Sequence, residues 1–113
     1  MEVINTGRVV KNIIDVYVQL RDKVDVSRLE RFNIVILMQP KTFIELRSEL
    51  NGDIKRDKDI GVNFIYIFGR ATPVIINDEL PEDVEFQMMT QQDYERMEKE
   101  QLYRKLDKMF FEN

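Results

Sequence analysis

The chain has 113 residues, of which 43% are hydrophobic and 34% charged, carries a formal charge of −4, and contains neither cysteine nor histidine. Those values fit one ordinary globular domain spanning 1–113 and do not fit a disordered chain. They exclude disulfides, thiolate metal sites, cysteine nucleophiles and imidazole-based proton transfer, and they argue against a general nucleic-acid binder, which needs concentrated positive charge.

The first residues, Met1-Glu2-Val3-Ile4-Asn5, lack the basic start and apolar run of a signal peptide. No apolar stretch reaches the ~20 residues needed to span a bilayer, so a cytoplasmic protein with no membrane partner is expected. From about Thr6 to Val24, Val10, Ile13, Ile14, Tyr17, Leu20 and Val24 recur at helical spacing, and Val9 and Val16 broaden the apolar face enough to meet more than one neighbour. A short turn is expected at Ser27-Arg28-Leu29-Glu30. Phe32 to Met38 is uniformly apolar and short, the pattern of a central strand covered on both faces.

Pro40 suits the first turn of a second helix, with Phe43, Leu46 and Leu50 on its apolar side and Asn51-Gly52 as its end. A charged connection, Asp53 to Asp59, leads to a strand from Val62 to Phe68. Gly69 is free to take positive φ, and Pro73 marks the start of a strand ending at Asn77. A turn at Leu80-Pro81-Glu82-Asp83 precedes a further strand, Val84 to Met89. Thr90 and Asp93 form a variant capping box that opens the last helix, on which Tyr94, Met97, Leu102, Leu106, Met109 and Phe110 make an apolar stripe. The order helix-strand-helix-strand-strand-strand-helix predicts an α+β fold with a mixed sheet packed by helices.

Catalytic chemistry is left to carboxylates, Lys, Tyr, Ser and Thr, each of which is also an ordinary surface residue; no catalytic, cofactor-binding or metal-binding set is expected, and the chain does not read as an enzyme. Asp53, Asp57 and Asp59 share a loop, but its spacing departs from a calcium loop and Lys55, Arg56 and Lys58 intervene, so a solvated loop of balanced charge is expected. Thr6-Gly7-Arg8, at a helix start, has weak anion-site character. Phe64, Tyr66 and Phe68 alternate along one strand in a way that suits base stacking, although without interleaved basic residues they read as core.

Two surfaces stand out for protein contact. Asp78, Glu79, Glu82, Asp83 and Glu85 form a run without a single basic residue, either a solvated turn or a surface for a basic partner. Tyr103, Leu106, Met109, Phe110 and Phe111 load the chain end with apolar bulk, able to dock into the domain or onto a second copy.

The run Leu37-Met38-Gln39-Pro40-Lys41-Thr42-Phe43-Ile44-Glu45-Leu46-Arg47, followed by Phe68-Gly69, Pro73-Val74-Ile75-Ile76-Asn77-Asp78 and Leu80-Pro81, resembles a pattern in the peripheral domain of tailed-bacteriophage major capsid proteins. In that family a strand leads into an Asn-Pro-x-Thr helix start, and a later Gly-x-Pro-Val strand ends in a polar turn. Here Gln39 stands in place of the Asn, and Arg70-Ala71-Thr72 separates Gly69 from Pro73. The chain is too short for a shell-closing arm and loop. The resemblance therefore implies a phage or prophage protein with a mixed sheet used for protein contacts, not a shell subunit. The functional expectation is a non-enzymatic protein acting by association, as a homo-oligomer or with a phage or host protein. The alternatives are a phage-encoded inhibitor of a host enzyme using the 78–85 turn, and a ligand- or nucleic-acid-binding domain.

Overall fold

A computed structural model describes residues 7–23, 33–59 and 61–111, with the side chains of Phe110 and Phe111 outside that description. The expectations for Thr6, Val24, Phe32 and the turn at 27–30 fall outside the described residues. The elements in chain order are α1 (Arg8–Asp22), β1 (Ile34–Met38), α2 (Pro40–Glu49), β2 (Lys55–Arg56), β3 (Asn63–Ile67), β4 (Arg70–Ile76), β5 (Phe86–Thr90) and α3 (Gln91–Phe111). The strands form one sheet in the order β2-β3-β4-β1-β5. β1 runs parallel to β4, and every other neighbouring pair is antiparallel. The fold is α+β with a mixed sheet.

Helices α1 and α2 lie on one face. There Val9, Ile13 and Tyr17 of α1 and Leu46 of α2 pack against Ile34, Ile36, Met38, Ile65, Ile67 and Val74 of the strands. All five residues of β1 are buried, which explains its unbroken apolar composition. β1 is an interior strand flanked by β4 and β5, while β4 holds the middle of the sheet. The charged connection also supplies a strand that periodicity does not reveal: Lys55 and Arg56 pair with Phe64 and Asn63 through backbone hydrogen bonding, while both side chains stay exposed.

β4 starts three residues before Pro73, at Arg70. Phe68 (φ 49°) and Gly69 (φ 79°) form the two-residue connection of the β3–β4 hairpin, both with the left-handed backbone that matches strand twist. Counting from the Ile67–Arg70 pair beside that turn, hydrogen-bonded and non-bonded pairs alternate, which makes Phe64–Pro73 a non-bonded pair. Pro73 therefore owes β3 no donor. On the other side the parallel ladder to β1 begins one residue later, at Val74. An internal proline is accommodated in the middle strand for these two reasons. β5 is displaced from its expected span by two residues at the start and one at the end, and runs straight into α3.

The joint between α1 and α2 rests on one carboxylate. Gly7, the N-cap of α1, has no side chain to offer, and the first-turn N–H groups of Val9 and Val10 instead donate to Glu49 Oε2 and Oε1 at 3.0 and 2.9 Å. Glu49 is the last residue of α2, so the cap comes from a neighbouring helix and is reinforced by the positive end of the α1 dipole. A Cβ on Gly7 would lie 2.2 Å from the Glu49 carboxyl carbon, although the φ of −59° suits any residue; the glycine is required for space.

Replacing Glu49 with Ala is expected to cost about 1–2 kcal/mol of stability. Gly7→Ala should cost about 1 kcal/mol in the native background and close to nothing in Glu49→Ala, measured as a double-mutant cycle by urea unfolding. Additivity of the two changes to within roughly 0.3 kcal/mol would show that Gly7 serves something other than this contact.

Candidate protein-contact surfaces

The loop from Asn77 to Glu85 is fastened along its whole length. The Asn77 N–H donates to Met38 O at 2.8 Å and Gln39 N–H donates to Glu85 O at 3.0 Å, extending the strand pairings into the loop. Within it, Asn77 Oδ1 accepts from Glu79 N–H at 2.8 Å. Buried Gln39 donates its Nε2 to Pro81 O at 2.6 Å and to Glu82 O at 3.3 Å. That orientation leaves Gln39 Oε1 buried with no hydrogen-bond partner among the described residues. Asn would be one methylene shorter, so the glutamine in the Gln-Pro-x-Thr helix start has a defined task here: it reaches and ties the acidic loop.

Arg8 divides the acidic run. Its guanidinium grips Glu45 with Nε and Nη2, at 3.1 and 2.7 Å, and meets Glu85 Oε2 with Nη1 at 2.7 Å. The bidentate hydrogen bond from Arg8 holds the Glu45 carboxyl below its usual range, and the two carboxylates raise the Arg8 pKa in turn. This pairing contributes stability above the ordinary carboxylate range, and the contribution is lost as pH falls through the lowered Glu45 value. Glu85 is thereby removed from the free acidic set. Asp78, Glu79, Glu82 and Asp83 are all exposed.

The weak anion-site character at the start of α1 has a concrete explanation. The helix N-terminus does bind an anion, the chain's own Glu49 carboxylate, and Arg8 is occupied by Glu45 and Glu85. No free phosphate site is built there.

The last helix divides into two halves with different surroundings. Thr90 Oγ1 accepts from Asp93 N–H at 3.2 Å, the expected capping bond, and Gln91 N–H donates to Asn33 O at 2.9 Å, so α3 leaves β5 without a loop. Tyr94 and Met97 are half-buried where the helix meets β5 and β1. Five residues beyond Met97, at ~100° each, turn the direction by roughly 140°, so Leu102 cannot share the sheet-facing side. Leu102, Tyr103, Leu106 and Met109 are 54, 57, 37 and 71% exposed. The apolar positions thus form two stripes, one docked and one free, where the sequence alone suggested a single stripe. With 21 residues, α3 is about 32 Å long, consistent with a molecule 64 Å in its longest dimension and 36 and 32 Å in the others.

The aromatic strand residues are placed differently from the core expectation. Tyr66 and Phe68 are exposed, because Tyr66 lies on the sheet face away from α1 and α2 and Phe68 is in the hairpin turn. Phe64 and Tyr66 meet edge to face, 5.6 Å between ring centres. Phe68 lies 5.7 Å from the Tyr17 ring and under the Arg21 guanidinium at 5.3 Å, tying the turn to the end of α1. Alternation alone identifies two faces of a strand but not which one is covered. Between α1, α2 and β3 lies an apolar cavity of about 230 Å³, lined by Val10, Ile14, Leu46, Leu50, Ile65 and Ile67 among others.

Among the described residues, no group of three or more acidic side chains is placed to hold a metal ion. In the Asp53–Asp59 loop, Asp57 Oδ1 accepts from Asp59 N–H at 2.9 Å, and Asp53 lies 3.5 Å from the Lys55 ammonium. Among the same residues, no helix is long and apolar enough to cross a membrane. Against known proteins, the chain matches no family model, no curated protein and no solved structure.

The phenol of Tyr94 donates a hydrogen bond to Glu98 one turn along α3. Burial first and that carboxylate second push its pKa from 10.0 up to about 12. A raised value means that this contribution to stability is complete below pH 10 and fades as pH climbs towards 12. The absorbance titration of the wild-type chain minus that of Tyr94→Phe isolates this phenol, with an expected midpoint of about 12. A midpoint near 10 would mean that the phenol is neither desolvated nor held by Glu98.

Proposed function

We propose that this chain is a non-enzymatic protein that acts by association, with the distal half of α3 as its contact element. The observation that carries the reading is the free stripe of Leu102, Tyr103, Leu106 and Met109, carried on a helix whose other end is packed against β5 and β1. Four large apolar side chains held in water on one side of a helix are stabilised by burial against another surface. Homo-oligomerisation meets that need without a second gene product. The capsid-like resemblance adds the proposal of a phage or prophage origin, and with it a place in a bacterial cytoplasm.

A second reading is supported by the 77–85 loop. Asp78, Glu79, Glu82 and Asp83 are displayed on a segment fixed by Gln39 and, through Glu85, by Arg8, so little ordering entropy is lost when a basic surface binds them. An inhibitor of a host enzyme would use that rigidity. Exposed Tyr66 shares a sheet face with Phe64 and Lys55, which is the feature that speaks for ligand or nucleic-acid binding, the remaining alternative.

Sedimentation equilibrium tests the leading reading. The wild-type chain is expected to show concentration-dependent association, and Leu102→Glu with Leu106→Glu should abolish it while leaving the unfolding midpoint within experimental error, since both sites are exposed. A wild-type chain that remains monomeric at roughly several hundred micromolar overturns it. The second reading predicts one stoichiometric partner captured from bacterial lysate, lost on replacing Glu79, Glu82 and Asp83 with Lys; capture that survives those changes counts against it.

A further inference from the structure

We infer that the apolar cavity between α1, α2 and β3 is a binding site for one small, uncharged, hydrocarbon-like molecule, about the size of a substituted benzene ring. It involves neither the α3 stripe nor the 77–85 loop, and it stands independently of the association reading. The volume is about 230 Å³. An apolar cavity of roughly 150 Å³ stays dry and accepts one benzene ring, so this one has room for a ring bearing a short alkyl group. Buried Leu46, Ile65 and Ile67 line its interior, and half-buried Val10, Ile14 and Leu50 continue the aliphatic surface outwards. A water molecule needs several polar partners to be held, and those side chains supply none.

The space stays open because its walls are fixed. Val10 and Leu50 are neighbours of the polar joint described above: the Val10 N–H itself donates to Glu49 Oε1 at 2.9 Å, and Arg8 clasps Glu45. The two helices cannot slide together over the cavity without breaking those bonds. The chain then leaves α2 through Asn51 and Gly52, both with positive φ, and the Gly52 N–H is bonded to Arg47 O at 2.8 Å. Val10, Ile14, Ile65 and Ile67 are β-branched and stiff at χ1, so they do not swing inwards to fill the gap. An apolar void that cannot relax costs stability in proportion to its volume, and an apolar ligand that fills it stabilises the fold.

The charged residues at the cavity decide the class of ligand. Exposed Asp53, Lys55, Tyr66 and Phe68 mark its mouth. Only Asp53 and Lys55 among the lining residues carry charge, and they face each other at 3.5 Å. A carboxylate on the ligand is attracted by one and repelled by the other, and an ammonium likewise. A charged head therefore gains nothing at the mouth to offset its loss of water, whereas an uncharged ring loses nothing there.

Toluene titrated into the full chain, with the methyl NMR signals as the readout, tests this. The signals of Val10, Ile14, Leu46, Leu50, Ile65 and Ile67 should shift together and saturably, and the unfolding midpoint should rise with toluene concentration. Benzoate and benzylamine, the same ring carrying one charge of either sign, should bind at least roughly ten-fold more weakly. Ile14→Phe puts a ring of the protein's own into the space and should abolish the saturable shifts. Should that variant fail to fold, Leu50→Ala gives a second reading: it enlarges the cavity and should strengthen binding of naphthalene relative to toluene. The inference is overturned by the absence of a saturable shift at the cavity methyls, or by shifts confined to Leu102 and Leu106, which would mean adsorption on the exposed helix. It is overturned equally by benzoate or benzylamine binding as tightly as toluene, by a folded Ile14→Phe chain that still binds, or by an unchanged preference in Leu50→Ala.

Discussion

The carboxylate of Glu49 stands at the junction of the two core helices, against Gly7, the N-cap of α1. It supplies α1 with the cap that Gly7 cannot, fixing where α1 begins relative to the end of α2. One turn earlier on α2, Glu45 takes hold of Arg8, and Arg8 in turn holds Glu85 at the end of the 77–85 loop. A single edge of the helix layer thus aligns α1, α2 and the segment entering β5. Hydrophobic burial supplies the bulk of the favourable free energy, but it is nondirectional, and Val9, Ile13 and Tyr17 find their places over β1 and β4 because α1 is pinned at its start.

These polar ties also explain why the acidic run is less of an open surface than its composition implies. A row of five acids without a base in sequence gains a base in space, from a residue 77 positions away. Such pairing is invisible to any local reading of charge. The same holds for Gln39, whose amide bonds to the loop from inside the protein and gives the acidic tip a rigid foundation.

Much of the architecture is nonetheless written in local pattern. The unbroken apolar run of β1, the proline opening α2, the Asn51-Gly52 stop and the threonine cap of α3 each follow from backbone physics acting over a few residues, and each is where that physics puts it. What local pattern misses depends on long-range pairing. Lys55 and Arg56 are strand residues only because β3 offers them an edge, and the Pro73 position is set by hydrogen-bond alternation counted from a turn it does not belong to. The candidate contact surface was legible in part: Tyr103, Leu106 and Met109 stand out by type, but the division of the stripe at about Met97 comes from helical phase combined with where the sheet ends. Leu102, which looks like its neighbours in the docked half, is free for the same reason. Phe64, Tyr66 and Phe68 show the converse limit, since a two-residue period separates faces without telling which one the helices cover.

The direct passage from Thr90 into Gln91 has a mechanical consequence. A helix attached through a flexible linker can sample many orientations and forgive a poorly placed partner. Here the peptide chain changes from strand to helix between consecutive residues, the first helical N–H is bonded to Asn33, the residue before β1, and the first turn is seated on the sheet. α3 is consequently a lever built rigidly into the sheet, and whatever grips its far end transmits torque to β5 and β1 without slack. The exposed side chains of Leu102, Tyr103, Leu106 and Met109 are thereby held at a fixed angle and distance from the sheet.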